Sequence, residues 1–323
     1  MSEANGESLI LALPSKGRLK EQCEAWLADC GFSVQAAGGA RGYRAGIDKL
    51  PQVQVQLLSA SDIAAAVDAG EVHLGVTGED LLRERGEGVD ARVMLLRALG
   101  FGRADVVVAA PKSWIDVDSM ADVEEVAAAY LARTGRRLRV ATKYLVQTRA
   151  FFARHGIADY RIVESGGATE GAPAAGAAEL VVDITTTGAT LAANNLKIVA
   201  DGVMLKSEAQ LAAGLKASWT ASQVEVVRFF LRTVEARARA KGLAAVQWPP
   251  EQDAAARGAL RSYLAKGAVS RERGLLSPMK DLFGAANALA DAGIGPATAS
   301  RPDFVFEPGC IAADTLAARL GLT

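Results

Sequence analysis

The sequence predicts an α/β fold. Short apolar runs of strand length alternate with amphipathic stretches over most of the 323 residues. The amphipathic stretches close on glycine, as helices do at their C-termini. Half of the residues are hydrophobic, enough for a large core, and the length suits two domains of ordinary size.

In chain order, "LILALP" (9–14) reads as a buried strand and "GRLKEQCEAWLADCG" (17–31) as a helix ended by Gly31. "VQVQLLS" (53–59) reads as a strand, "ASDIAAAVDAG" (60–70) as a helix stopped by Gly70, and "VHLGVTG" (72–78) as a strand. A second block opens near Arg103 with the strand "ADVVVAAP" and a helix over 119–134. It continues through the strand "LRVATKY", the helix "LVQTRAFFARHG" and the strand "YRIVES". "GGATEGAPAAGAA" is a Gly/Ala-rich loop and helix, and "ELVVDITTTG" is the next strand. "NNLKIVADGVMLKS" reads as two short strands and "EVVRFFLRTVEARARAKG" as a long helix. The pair Pro249–Pro250 marks a boundary, after which the spacing is helical and only "FVFEP" (304–308) reads as a strand.

The formal charge of −1 argues against a dedicated nucleic-acid binder, which carries a basic excess. Cys23, Cys30 and Cys310 lack metal-ligand spacing, and a reduced, cytoplasmic setting fits them. The N-terminus has no basic region before its apolar run, and no apolar stretch reaches the roughly 18 residues of a membrane span. There is no "GxxxxGK[ST]" loop, which disfavours an ATP-dependent kinase.

Several turns carry polar chemistry. "DITTTGATL" (183–191) ends a strand on Asp183 and then sets threonines around Gly188 before a helix start. That arrangement is either a Thr-capped turn or an anion site built from free N–H groups. "LPSKGRL" places Lys16 and Arg18 around Gly17 where strand becomes helix. "RGYRAG" adds Arg41 and Arg44, whose guanidinium forks suit phosphate oxygens. "SASD" contains Ser61 and Asp62 as helix caps, and "GVTGED" carries Thr77, Gly78, Glu79 and Asp80 through a strand, a turn and a helix start. "ESGGATEGAP" brings Glu164 and Glu170 to a flexible loop. Each has a plain structural reading: a solvated turn, a surface arginine, a cap, or an acid favoured by a helix dipole. Together they would share one rim, because open α/β sheets bind ligands outside the carboxyl ends of their strands.

"LPSKGRLKE", "LSASDIA…GEVHLGVTGEDLL", "RVATKY…TRAFFARHG", "ATEGAPAAG" and "DITTTGATLAANNLK" in this order resemble the ATP phosphoribosyltransferase family, over about residues 8–243. The resemblance implies two α/β domains of the periplasmic-binding-protein type (type II), with the chain crossing between them twice. Domain I would hold 1–102 plus 193–243, domain II 103–192, and a mainly helical extension 244–323. The implied reaction moves the 5-phosphoribosyl group of phosphoribosyl pyrophosphate to N1 of ATP, with inversion and no covalent intermediate. Thr186, Thr187, Gly188, Ala189, Thr190 and Leu191 would cradle the 5-phosphate, while Asp183 and Glu170 face the ribose hydroxyls. Lys16, Gly17 and Arg18 would face pyrophosphate or the ATP phosphates, with Arg44, Ser61 and Thr77–Asp80 completing the nucleotide side. Magnesium would travel on the substrate phosphates, with no metal fixed by the protein alone.

The family has a long form, with a C-terminal ferredoxin-like βαββαβ domain that binds histidine. It also has a short form that needs a histidyl-tRNA-synthetase-like regulatory subunit. The core resembles the short form, yet the tail has no legible βαββαβ pattern. Expected partners are therefore the two substrates and further copies of the chain, with the regulatory subunit open and neither nucleic acid nor membrane involved. Two rival readings are a non-catalytic binding protein of the same fold and a type I phosphoribosyltransferase acting on a free base. Against the latter, Ile184 stands where the type I loop carries a second acid.

Overall fold

The computed structural model describes residues 8–36, 44–272 and 274–322. Its first part runs β1 (Leu9–Pro14), α1 (Gly17–Asp29), β2 (Val34–Ala36), β3 (Arg44–Ile47), β4 (Leu50–Leu58), α2 (Ala60–Ala69), β5 (Leu74–Gly78), α3 (Glu79–Arg83), α4 (Val89–Arg92) and β6 (Val93–Ala98). Then follow β7 (Ala104–Pro111), α5 (Met120–Thr134), β8 (Leu138–Thr142), α6 (Leu145–Arg154), β9 (Tyr160–Glu164), β10 (Leu180–Thr185), α7 (Ala189–Ala193), β11 (Leu196–Ser207) and β12 (Ala209–Gly214).

These strands form two sheets, ordered β2-β3-β4-β1-β5-β12-β6 and β11-β7-β10-β8-β9. The sheets repeat one topology. Each has a parallel trio, β4-β1-β5 or β9-β8-β10. Beside each trio lies an antiparallel strand that has just come from the other sheet, β12 in the first and β7 in the second. A further antiparallel strand, β6 or β11, completes each set. This doubled arrangement is the type II periplasmic-binding-protein architecture.

Both faces of β7 are covered, which is why "ADVVVAAP" is apolar throughout instead of alternating. Val106 and Val108 pack with Met120, Val140 and Phe152, whereas Val107 and Ala109 pack with Leu191 and Leu196. The caps are written locally. Ser119 and Asp122 exchange side-chain and backbone bonds at the start of α5, and Gly135 ends it in the left-handed conformation.

Two boundaries differ from the sequence reading. "NNLKIVADGVMLKS" forms a single irregular strand, β11, whose register shifts between Ile198 and Val203 and again before Leu205. The "ADG" interruption breaks the alternation and makes one bulged strand look like two. β11 belongs to the second sheet, so the chain returns to the first at Glu208 and not near residue 193. β12, "AQLAAG", has no strand signal of its own. All six of its residues are buried between β5 and β6, and that context makes it a strand.

The chain forms two compact units, the second made of Ala28–Gly31 and everything from Ala221 onward, so the boundary falls earlier than the Pro249–Pro250 pair. The second contains α8 (Ala221–Ala240), β13 (Leu243–Gln247), α9 (Asp253–Ala259), α10 (Arg261–Leu264), β14 (Val269–Arg271), β15 (Gly274–Pro278), α11 (Leu282–Asp291), β16 (Thr298–Ser300) and α12 (Ile311–Leu320). Its sheet is ordered β14-β15-β13-β16, with every neighbouring pair antiparallel. From β13 onward the order is βαββαβ with the first and third strands central, the ferredoxin-like arrangement. The expectation of a mainly helical extension is corrected here. The outer strands "VSR" and "TAS" are three residues each and exposed, so they carry no alternation to read. "FVFEP" is not a strand; Val305 is buried against Ala240 and Leu276. Among the described residues no helix is long and apolar enough to cross a membrane.

Gly214 ends β12 where a Cβ would lie 2.6 Å from the Val67 carbonyl oxygen and 2.8 Å from that of Val72. Backbone atoms cannot yield as a flexible side chain can. Gly214→Ala is expected to cost about 1–3 kcal/mol in urea unfolding. An unchanged midpoint would show that the α2–β5 turn shifts freely.

Candidate active site

The carboxyl ends of β1, β4 and β5 meet the loop after β10 and the first crossing segment. They enclose a cavity of about 480 Å³. Arg18 and Gln22 of α1, Ala60, Gly78, Asp80, Gly100–Ala104 and Thr186 line it. Of the residues singled out in sequence, the cavity brings together Arg18, Gly78, Asp80 and Thr186. Arg103, also in the lining, marks the start of the second block in the sequence but is not among the site residues read there; its place at the crossing is the signal.

The Thr/Gly loop is shaped by its own hydroxyls. Thr185 Oγ1 accepts the Gly188 N–H at 2.9 Å, and Thr187 Oγ1 accepts that of Ala189 at 3.4 Å. Gly188 has φ +74°, a conformation that disfavours a side chain. Thr186, Thr187, Ala189 and Thr190 are exposed. Leu191 is core, packed with Val107 and Val181, so only its backbone can face a ligand.

Asp183 is half-buried in β10, two residues before its end, and its Oδ1 accepts the Ile184 N–H at 2.8 Å. Burial raises its pKa; the Ile184 bond and the Lys143 charge oppose this, and the Glu170 charge adds to it. Glu170 sits on a single 3-10 turn, Thr169–Gly171, in place of the expected helix. Lys143 was missed in sequence. It directly follows β8, on the same carboxyl edge as Asp183, and that position was the available signal.

Lys16, Gly17 and Arg18 are exposed where β1 turns into α1, and Gly17 has φ +74°. Ser61 is exposed in the first turn of α2 and lines a smaller cavity, about 200 Å³, with Glu84, Arg85, Lys143 and Tyr144. The cap of α2 is Ser59, not Ser61 or Asp62; its hydroxyl accepts the Asp62 N–H at 3.2 Å. Three other expected ligands have internal partners. Thr77 is fully buried and donates to the Ala60 carbonyl at 2.7 Å, so its side chain cannot reach a nucleotide. Glu79 pairs with Arg83 and accepts from Gln210, each at 3.2 Å. Asp80 is 5% exposed and accepts the hydroxyls of Tyr144 and Ser207, both at 2.8 Å. Burial and the Asp80 charge push the Tyr144 hydroxyl upward, so it acts as the donor. Arg41 and the side chain of Arg44 lie outside the described residues.

His73 is buried in the first sheet. Its Nδ1 accepts the Ile10 N–H at 3.1 Å, which leaves Nε2–H to donate to the Ser218 carbonyl at 3.1 Å. Burial holds its pKa below the usual value, and its role is structural. His155 ends α6 with its ring against Phe151.

The family model for ATP phosphoribosyltransferase matches residues 59–233. An ATP phosphoribosyltransferase of Caulobacter vibrioides (strain NA1000 / CB15N) is 66% identical over 312 residues, spanning 97% of this chain and 98% of the relative. One from Rhodopseudomonas palustris (strain BisA53) is 57% identical over 234 residues, 72% of each chain. Among solved structures, the ATP phosphoribosyl transferase (HisG:HisZ) complex from Thermotoga maritima superposes with a TM-score of 0.53. That likeness has 24% identity and covers 70% of this chain and 96% of that one.

The raised pKa of Asp183 has a thermodynamic sign. The folded state holds the proton more tightly than the unfolded state, so stability falls as pH rises through the window above the ordinary value of 3.8. At neutral pH the charged group therefore opposes folding. Asp183→Asn is expected to raise the urea midpoint at pH 7, with the difference vanishing in acid below the ordinary carboxylate range. Equal midpoints at pH 7 would remove burial as the dominant effect on this group.

Proposed function

The chain belongs to the ATP phosphoribosyltransferase family, and we propose on that basis that Asp183, Glu170, the Thr186–Leu191 loop, Lys16 and Arg18 form its reacting centre. The enzyme transfers the 5-phosphoribosyl group of phosphoribosyl pyrophosphate to N1 of ATP, releasing pyrophosphate, in the first step of L-histidine biosynthesis. The anomeric carbon inverts and no covalent intermediate forms.

The observation that carries the site assignment is the single cavity shared by Arg18, Gly78 and Thr186, from three different strand ends. An oxocarbenium-like transition state needs positioning and charge stabilisation, not a nucleophilic side chain. The hydroxyls of Thr186, Thr187 and Thr190, with the backbone of Gly188, Ala189 and Leu191, hold the 5-phosphate, whose oxygens take over the Gly188 and Ala189 N–H groups from the loop's own Thr185 and Thr187 hydroxyls. Asp183 and Glu170 hold the ribose hydroxyls; their carboxylates also oppose the positive charge that grows at the anomeric carbon. Lys16 and Arg18 take the departing pyrophosphate or the ATP phosphates, and Gly17, Ser61 and Gly78 complete the nucleotide side. Lys143 joins this set as a cation whose charge acts on Asp183.

Magnesium fits as a passenger of the phosphates. The Asp183–Glu170 pair offers hard oxygen donors of the kind the ion takes singly or in pairs. When bound, the ion would neutralise phosphate charge as pyrophosphate departs.

We further propose a cytoplasmic homo-oligomer regulated in cis. The resemblance associates histidine binding with a C-terminal βαββαβ domain, and the second unit has that strand order. This favours a built-in sensor over a separate regulatory subunit. The purified chain alone is expected to turn over both substrates and to be inhibited by histidine. Turnover only after addition of a histidyl-tRNA-synthetase-like subunit would overturn this reading.

Gly188→Val tests the loop. Its strain and the lost approach of the backbone are expected to raise KM for phosphoribosyl pyrophosphate at least about tenfold while the fold persists. A folded variant with parental KM would sink the assignment.

A further inference from the structure

We propose that Asp80, Tyr144 and Ser207 form a positioning clasp that sets the phosphate-loop half of the active site against the nucleotide half, an inference resting on the site assignment above. Asp80 opens α3 beside the first sheet, Tyr144 lies in the core of the second, and Ser207 ends β11 just before the chain crosses back. All three are buried, at 5%, 1% and 4% exposure. Tyr144 donates to Asp80 Oδ2 and Ser207 donates to Asp80 Oδ1, both at 2.8 Å. The Asp80 N–H donates to Ser207 Oγ at 3.0 Å. Both carboxylate oxygens are thus held by hydroxyls from the other half of the molecule. Buried bonds to a carboxylate are strong and directional, and they admit few alternative geometries.

Neighbouring bonds extend the contact. Gln147 Nε2 donates to the Asp80 carbonyl at 2.9 Å. Glu84, which follows α3, accepts the backbone N–H groups of Val146 and Gln147 at 2.8 and 3.2 Å, capping α6 from across the molecule. The Glu79 N–H donates to the Glu208 carbonyl at 3.1 Å, and the Gly100 N–H donates to the Glu208 carboxylate at 3.0 Å. Glu208 in the second crossing thus joins the start of α3 to Gly100 in the first.

The clasp reaches both halves of the site. On one side, the Lys143 ammonium lies 5.0 Å from the centre of the Tyr144 ring, and its charge acts on Asp183. On the other, Gly78 lines the main cavity two residues before Asp80. A Cβ on Gly78 would collide with Asp80 Oδ1, so the clasp itself accounts for the glycine. Serving as a nucleotide ligand would require Asp80 to give up two buried bonds, which would leave both hydroxyl protons without an acceptor.

The experiment compares Tyr144→Phe, Ser207→Ala, their double variant and the hydroxyl-retaining Ser207→Thr. Initial rates are measured with each substrate varied, alongside melting curves. Misaligned halves should lower kcat about tenfold or more, with KM for phosphoribosyl pyrophosphate within about twofold, because the loop that binds it is untouched. The double variant should be no slower than the worse single one, and Ser207→Thr should recover most of the rate. A purely structural role would lower melting temperature and leave kcat in place. Folded variants with kcat within about twofold of the parent, or losses that multiply in the double, would overturn the clasp. If Tyr144→Phe does not fold, Ser207→Ala and Ser207→Thr decide alone. Failure of the underlying site assignment reads out separately, as a parental KM in Gly188→Val.

Discussion

Each large sheet is completed by a strand that the other sends to it, and the ligand site depends on that exchange. β7 enters the second sheet antiparallel to β10, and β12 returns antiparallel to β5. Both sit deep in their ladders, so the two crossing segments cannot move without disturbing a buried strand. The crossings form one wall of the cavity, at Gly100–Ala104 and Ala209. Of the parallel strands, β1, β4, β5 and β10 end beside this wall. Turns that are remote in sequence therefore converge, and the position of the site follows from hydrogen-bond ladders before any catalytic side chain is considered.

Within that frame, two aspartates illustrate how environment divides labour. Asp80 has a bond to each oxygen and sits in a closed contact. Asp183 is half-buried with one backbone bond and the repelling charge of Glu170, so its ionised form is the less comfortable one. A group held charged at a cost to folding is available to a ligand that brings hydroxyls or cationic character. A group already satisfied is not. Thr77 is likewise engaged within the fold, its hydroxyl donating to the Ala60 carbonyl, and Glu79 pairs with Arg83.

The second unit has its own physics. Trp248, Ala256, Leu260, Leu275, Ala285 and Leu289 pack on one face of the small sheet, and Ala240, Leu276 and Val305 meet on the other. β15, between β13 and β14, is the only strand of the four with a continuous buried run. Short exposed edge strands discourage further pairing, and they also hide the sheet from any reading by hydrophobic period.

What the sequence determined by itself is whatever local chemistry writes. β1 and β7 lie where their apolar runs said, Gly31 and Gly70 follow helices, and the Thr/Gly stretch is a turn between strand and helix. Ordered motifs also carried the family. Tertiary structure decided the rest, because it depends on partners far along the chain. Alanine-rich β12 is a strand only between its neighbours, and "VSR" and "TAS" are strands only through their ladder bonds. Asp80 could be read as a ligand from its turn alone. Only the approach of Tyr144 and Ser207, 64 and 127 residues away in sequence, engages both of its oxygens within the fold.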